Sequence, residues 1–377
     1  MKLVRHIARL FLPIGFVVIF IIILIAGLWP FRISPPNRIS WLMPGPGLRF
    51  TRTSLVRSEE PLNLPNPASN DVSLEIWLQP VPRQPSPTLL TIYSQERKVS
   101  LRLMIYEEYL VIRRYVTISP GRQKKFEVDV ADLVHPGRPT LVTIASSQRG
   151  TSVYYDGALA QSFPQYRLSR QDFCGELILG TTPRDYSHWE GDLRGIAIYN
   201  AGLSAQQALE HFHAWTGPSP ERTLLGDFPY ALYTFQDGSG PVARNAVVGA
   251  PDLVLPSRFT VPHKAVLELF WRDVHLNWSY TQDVVLNILG FVPFGLFAYA
   301  LFAHNSTPTR AVWLAFLFGC AVSFFIEATQ AFMPTRDSDT TDLINNAAGS
   351  AIGAFLGLKT HFERAPEWIV KWFGKSR

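Results

Sequence analysis

The stretch EATQAFMPTRDSDTTDLINNAAGSAIG, residues 327–353, decides how this chain folds, together with DVVLNILGFVPFG at 283–295. Both lie in or beside apolar segments long enough to enter a bilayer. Glu327, Gln330, Arg336, Asp339, Asp342 and Asn345 are therefore expected at a membrane boundary. An ionisable group at the centre of a membrane helix costs roughly 2.5–3.5 kcal/mol on insertion scales. Such groups usually face a bundle interior and mark a site or a pathway. At about 100° per residue, Asp339, Asp342, Asn345, Gly349 and Gly353 fall within about 120° of one helix face, and Asn346 shares it. Gly349, Gly353 and Gly357 are spaced for close approach by another helix. Glu327 and Gln330 lie one turn apart, as do Asp283 and Asn287. Gly290, Pro293 and Gly295 then predict an interrupted or kinked helix.

Working outward, four segments carry no charge: 19 residues from Phe11 to Trp29, 20 from Val284 to Ala303, 16 from Ala311 to Ile326 and 16 from Leu343 to Leu358. A spanning helix needs roughly 20 residues. The spacing predicts transmembrane helices at about 9–29, 283–303, 311–332 and 341–358, with a re-entrant fourth segment as the alternative. The first has a basic start, Lys2, Arg5 and Arg9, but its apolar run exceeds that of a signal peptide and no small-x-small cleavage site follows. It reads as a retained anchor.

Basic residues flank the first helix and follow the last: Lys359, Arg364, Lys371, Lys375 and Arg377. By the positive-inside rule both termini are cytoplasmic, and residues 30–282 and the loop 333–340 lie outside. The expected location is the cytoplasmic (inner) membrane, with several spans. The net charge of +5 fits basic flanks, and no nucleic-acid motif accompanies it, so no nucleic-acid partner is expected. Cys174 and Cys320 are expected in different environments, one soluble and one mid-membrane, and are not expected to pair. Neither has metal-ligand spacing. No metal site and no cofactor is expected.

Residues 45–260 read as an all-β domain. Short strands recur at Leu74–Leu78, Leu101–Tyr106, Leu110–Ile118, Leu141–Ala145, Val153–Tyr155, Leu177–Leu179 and Gly195–Tyr199, between turn signals. Asp156-Gly157 predicts a tight hairpin, and Ser204 predicts the cap of a helix at Ala205–Trp215. Many short strands at this spacing suggest a sandwich. The segments TLVTIASSQRGTSVYYDGALAQ and WEGDLRGIAIYNAGLSAQQALEHF resemble the central hairpin and closing segment of laminin-G-like, concanavalin A-like jelly rolls. In such domains a strand like ALYTFQDGSGPVARNAVVGAPDLVLPSRF comes first. Here it stands at 231–259, after the closing segment. That order implies a circular permutation, with the displaced strand pairing in the same sandwich as 50–55 and 73–78.

The resemblance implies a glycan or protein ligand. Related hydrolases place carboxylates two and five residues apart on a strand, whereas this chain has Glu127-Val-Asp129-Val-Ala-Asp132, which also reads as an exposed strand edge. Trp77, Tyr154, Tyr155, Tyr186 and Trp189 are candidates for stacking on sugars and equally for core or rim.

The membrane residues have their own resemblance. An Asp and an Asn before VPFG, then Glu-x-x-Gln, then Arg-x-x-Asp-x-x-Asp-x-x-Asn-x-x-x-Gly-x-x-x-Gly, is the pattern of the VanZ-like membrane family. This chain has Asp283, Asn287, FVPFG at 291–295, Glu327, Gln330, Arg336, Asp339, Asp342, Asn345, Gly349 and Gly353. The family's founding member is associated with low-level teicoplanin resistance, and the family has no settled reaction. This chain departs from the short form by carrying about 250 residues between its first and second helices.

The expected organisation is an anchor at 1–30, a lectin-like extracytoplasmic domain at 45–260, an interfacial segment at 261–282, VanZ-like helices at 283–358 and a cytoplasmic tail at 359–377. The fold class is multidomain: a permuted jelly roll plus a four-helix transmembrane bundle. The expected partners are the lipid bilayer and an envelope glycan or glycolipid. Glu327 and Asp342 are the candidate acid or base, because burial raises a carboxyl pKa toward neutrality. Asp283, Asn287, Gln330, Arg336, Asp339 and Asn345 are the candidate binding residues, with Arg336 offering a fork for an anionic head group. A scaffold in which Asp339 and Asp342 merely cap a helix and Arg336 pairs with them is the alternative, so whether a reaction is catalysed stays open.

Overall fold

Alternation of apolar and polar side chains builds most of the strands. In Val72–Pro80, Leu74, Ile76 and Leu78 face one side while Ser73, Glu75 and Trp77 face the other. A computed structural model describes residues 2–368 apart from 66–68, 82–87, 97, 120–121, 133–136, 185 and 269–277. The basic tail beyond 368 and residues 269–277 of the expected interfacial segment thus lie outside the described residues. The chain divides into two units, one of residues 35–263 and one of residues 1–34 with 264–377.

The first unit is a sandwich of two eight-stranded antiparallel sheets. One sheet runs β1 (Ser40–Trp41), β2 (Leu48–Phe50), β13 (Gly191–Tyr199), β4 (Val72–Pro80), β9 (Thr140–Ser147), β10 (Gly150–Tyr155) and β11 (Ala158–Phe163). The short strand β14 (Ala231–Tyr233) adds to β13 in that sheet. The other runs β15 (Val242–Ala243), β16 (Leu253–Val254), β3 (Val56–Ser58), β12 (Glu176–Leu179), β5 (Thr88–Ser94), β6 (Lys98–Tyr106), β7 (Tyr109–Ser119) and β8 (Arg122–Val130). So the stretch 231–259 contributes strands to both sheets, and β14 lies in the same sheet as β2 and β4. The hairpin between β10 and β11 turns on Asp156 and Gly157, both at positive φ.

Leu74, Ile76, Leu103, Ile105, Ile112, Val142, Ile144, Leu177 and Ile196 meet between the sheets, each buried. Full burial of such a side chain contributes about 1.5–3 kcal/mol. The outer face of the first sheet is covered by α2 (Ala205–Trp215), capped by Ser204, whose hydroxyl accepts from Gln207 N at 3.2 Å. Trp215, Ala208 and Tyr199 pack there, with Trp77 against Trp215. A short helix, α3 (Pro220–Leu224), follows. The chain enters and leaves this unit side by side. Pro36 and Arg258 form an antiparallel bridge, Asn37 N donates to Ser257 O at 3.1 Å and Phe259 N to Pro35 O at 2.8 Å. The Asn37 side chain adds bonds to Leu55 O and Pro256 O at 2.7 and 2.8 Å.

The second unit contains α1 (Lys2–Leu28), α4 (Trp278–Ala303), α5 (Pro308–Gln330) and α6 (Thr340–Thr360). Three of these carry segments long and apolar enough to cross a membrane: Leu10–Leu28, Tyr280–Ala303 and Pro308–Gln330. The fourth expected span, α6, falls short in apolarity because Thr340, Thr341, Asp342, Asn345, Asn346 and Ser350 lie along it. Its buried face is Asn346, Gly349, Ser350, Gly353, Ala354 and Gly357. The expected interruption of α4 is not seen, since the helix runs through Gly290, Pro293 and Gly295 unbroken. Phe16, Phe20, Phe294 and Phe318 pack as an aromatic core between α1, α4 and α5.

Candidate functional site

Helix packing brings the polar residues together. A Cβ at Gly349 would stand 2.3 Å from Ile288 O, and one at Gly353 2.0 Å from Val292 O. Only glycine allows α6 to lie directly on the backbone of α4. With the helices in that register, Asn287 Nδ2 donates to Asp342 Oδ1. Asp283 sits one turn earlier on α4, exposed. Asp339 is the N-cap of α6, its carboxylate accepting from Asp342 N at 2.9 Å. Its own amide donates to Glu327 Oε2 at 3.1 Å. Glu327 is only 1% exposed. Asp339 thus links the two candidates on α5 and α6: its amide donates to the Glu327 carboxyl, and its carboxylate accepts from the Asp342 amide, while the Asp342 carboxyl itself accepts from Asn287.

Gln330 and Arg336 turn toward the end of α1. Gln330 Nε2 donates to Gly27 O at 2.7 Å, while Arg336 donates to Trp29 O at 3.0 Å and Ala26 O at 3.2 Å. Carbonyls at a helix C-terminus have no partner within the helix, and a cation there is doubly favoured. Arg336 therefore caps α1 rather than pairing with Asp339 or Asp342, as the scaffold alternative had it. Five polar atoms on α5 and α6 are buried without a partner among the described residues: Gln330 Oε1, Thr341 Oγ1, Asn345 Nδ2, Asn346 Oδ1 and Ser350 Oγ. Asn346 Nδ2 donates to Ser323 Oγ at 3.0 Å.

Three contributors escaped the sequence reading: Lys264, Ser323 and Ser338. Lys264 Nζ donates to Gln330 O at 3.0 Å and Met333 O at 2.6 Å. Burial lowers its pKa below the ordinary lysine value, against the opposing pull of Asp337 and Glu327. Beyond it, Glu268 forms a parallel bridge with Asp339, and Ser338 Oγ accepts from Leu267 N at 3.1 Å, so the loop before α6 is pinned. A lone lysine and two serines in loops or helix turns carry no spacing signal. The assembled site offers carboxylates, amides and cations at one end of the helices, a set suited to a polar head group or to proton transfer. Among the described residues no three His, Cys, Asp or Glu side chains converge to hold a metal ion.

In the sandwich, Trp189 and Tyr154 are core and Trp77 packs on Trp215. Tyr155 and Tyr186 are half-buried, with hydroxyls on Val130 O and Arg52 O. Glu127 and Asp129 share the outer face of the edge strand β8, Glu127 paired with Arg113, and Asp132 lies past the strand's end. Cys174 and Cys320 are both free. A second polar network, unforeseen, is buried beneath α2. Glu75 accepts from Thr143 Oγ1 at 3.1 Å, His211 Nδ1 at 3.0 Å, Tyr199 OH at 3.2 Å and Trp215 Nε1 at 3.0 Å. His211 Nε2 reaches Asp227 at 2.7 Å. Burial opposes a charge on His211, but the two carboxylates outweigh it and raise its pKa. Burial also works against ionised Asp227, and its bonds to His211 and Gln207 overcome that and lower its pKa.

The spacing of Glu327, Gln330, Arg336, Asp339, Asp342 and Asn345, assembled by glycine contacts, has a counterpart among known families. Residues 234–360 match the VanZ/LLP1 family. The VanZ/LLP1 match begins inside the sandwich, so β15 and β16 belong to it. Residues 52–208 match the concanavalin A-like lectin/glucanases superfamily. Together they make this a VanZ-type membrane region carrying a concanavalin A-like domain. No curated protein matches the chain. Among solved structures, a heptameric SAP-like pentraxin from Limulus polyphemus is similar at 13% identity and a TM-score of 0.34, covering 59% of this chain and 94% of that one. The sialidase module CBM40 of Ruminococcus gnavus, bound to α2,3-sialyllactose, is similar at 14% and 0.32, covering 38% and 83%. The receptor-binding domain of botulinum neurotoxin D is similar at 13% and 0.33, covering 48% and 46%.

Proposed function

We propose that this chain is a protein of the cytoplasmic membrane whose sandwich, outside the cytoplasm, recognises an envelope glycan or glycolipid. The helical cluster receives the polar head of the lipid-linked ligand. The observation that carries the reading is the set of buried polar atoms on α5 and α6 without a partner among the described residues, Gln330 Oε1 and Asn345 Nδ2 among them. A buried polar group without a partner costs about 1–3 kcal/mol, so a bound group or water is expected to complete it. The concanavalin A-like match supports glycan recognition by the sandwich. Glu327 and Asp342 are the acid–base candidates, and Asp283, Asn287, Asp339 and Asn345 line the same end.

Both termini are proposed to be cytoplasmic, with α6 as a fourth span shielded by its glycine face against α4. Reporter fusions after Trp215, after Thr307 and at the C-terminus test this, and a cytoplasmic signal after Trp215 would refute it. The permutation is proposed too, supported by β14 beside β13 and by β15–β16 extending the second sheet. Deleting 228–258 is expected to expose a sheet edge and cause aggregation.

The site itself is tested by purifying the protein with its native lipids, identifying them by mass spectrometry and comparing Glu327→Gln and Asp342→Asn. Loss of co-purifying lipid or of phenotype with an unchanged melting point supports a site. Loss of folding favours the scaffold, which the capping by Asp339 and the Arg336 bonds to α1 carbonyls make the second reading.

A further inference from the structure

On the outer face of the second sheet, β6, β7 and β8 carry a cavity of about 340 Å³ that includes Glu127 and Asp129. It is lined by Met104, Tyr106, Tyr109, Val111, Arg113, Glu127 and Asp129. Their registers explain the grouping. Tyr106 faces Tyr109, Met104 faces Val111, Val111 faces Asp129 and Arg113 faces Glu127. The alternate residues of the same strands, Leu103, Ile105, Leu110, Ile112 and Val130, point into the core. The lining side chains therefore stand together on the outside.

We infer that this cavity binds a single neutral sugar residue of a glycan. Resting on the proposal that the sandwich recognises a glycan, the inference gives that domain a site and a ligand class. Three observations carry it. Tyr106 and Tyr109 are 52% and 46% exposed, unusual for two tyrosines adjacent across a hairpin turn. Exposed aromatic faces are stacking platforms for the apolar face of a sugar ring, and their hydroxyls are hydrogen-bonding handles. Met104 and Val111 supply an apolar floor. The Asp129 carboxylate makes no hydrogen bond or ion pair among the described residues and stands opposite the apolar side chain of Val111. A free carboxylate beside an aromatic platform accepts two sugar hydroxyls at once. The volume sits near the lower end of small-ligand sites, roughly 300–1,000 Å³, which suits one ring rather than an extended chain.

Charge selects against acidic sugars. The lining holds one cation, Arg113, and two carboxylates, Glu127 and Asp129, and the hairpin turn above adds Glu107 and Glu108. Arg113 is already engaged by Glu127. A sialic acid would meet net negative charge and an occupied guanidinium, whereas a neutral hexose or N-acetylhexosamine would not.

The test uses the full chain in detergent, titrated with neutral hexose and N-acetylhexosamine oligosaccharides and with 3′-sialyllactose, alongside Tyr109→Ala, Tyr106→Ala and Asp129→Asn. All three changes are at the surface, and unchanged thermal melting serves as the folding control. Binding of a neutral oligosaccharide, weakened at least tenfold by Tyr109→Ala and by Asp129→Asn with no sialyllactose binding, is the expected result. Equal binding by wild type and variants overturns the site and leaves glycan recognition standing. Binding of sialyllactose alone overturns the ligand class. Failure to bind any oligosaccharide overturns this inference and the sandwich's proposed role together.

Discussion

Glu75 in the sandwich and Glu327 in the helical unit are both buried carboxyls, 0% and 1% exposed, yet their surroundings are opposite. Glu75 accepts from four side chains, Thr143, Tyr199, His211 and Trp215. Among the described residues, Glu327 accepts from one backbone amide, that of Asp339. Gln330, one turn along α5, and Asn345 on α6 each keep a buried polar atom without a protein partner among the described residues. A saturated network rigidifies one fold and has no capacity left for a ligand. An undersaturated one leaves bonds for something else to make. The difference separates a structural carboxylate from a candidate for chemistry better than burial does.

The hardest blow to this comparison should come at Glu75. Glu75→Ala strands four buried donors and leaves His211 with only one of its two carboxylate partners, and is expected to destabilise the sandwich by about 3–5 kcal/mol. Thermal melting of the full chain in detergent measures it, and a loss below about 1 kcal/mol would break the claim that this network is structural. Next comes the packing that assembles the other site. Gly353→Ala drives a methyl group to within 2.0 Å of Val292 O, a backbone atom that cannot turn away. Overpacking of this kind costs about 1–3 kcal/mol, seen as a lower unfolding midpoint in denaturing detergent.

Acidity sharpens the contrast at an intermediate scale. His211 has a raised pKa in the fold, so its contribution is complete below the unfolded value of 6.5 and is lost as pH rises through the folded value. Asp227 has a lowered pKa, so its contribution is complete above 3.8 and is lost as pH falls through the folded value. The pair should stabilise the sandwich most between those two values, and His211→Gln should flatten the alkaline side of the profile. The smallest effects form a matched pair. Thr143→Val removes a used hydrogen bond to Glu75 and should cost about 1 kcal/mol. Ser350→Ala removes a buried hydroxyl that bonds to nothing among the described residues, and should cost nothing or stabilise. Equal costs would undo the distinction.

These two sites differed in legibility for a physical reason. Strands β4, β6, β7 and β9 were readable because alternation is local, as were the Asp156-Gly157 hairpin and the Ser204 cap. The Asp339 cap and the glycine steps of α6 were readable from spacing along one helix. Glu75 was not, because its four partners lie 68, 124, 136 and 140 residues away and no local pattern announces them. Lys264 was hidden likewise, 66 and 69 residues from the carbonyls it holds. Tyr106 and Tyr109 were visible as strand residues, but Met104 beside Ile105 is apolar on both faces. The side that becomes the outside is fixed only when the second sheet packs.

The bridge between Pro36 and Arg258 has a mechanical consequence. The strand that comes into the sandwich and the strand that leaves it are stitched to each other at Asn37–Ser257 and Pro35–Phe259. Tension pulling those two connecting segments apart would load the stitches one after another, as in a zipper. The two sheets behind them would bear no force until the last had parted. To the helices on either side, the whole inserted domain therefore behaves as a short closed loop. It is a cargo that can be strained at its neck without being strained in its body.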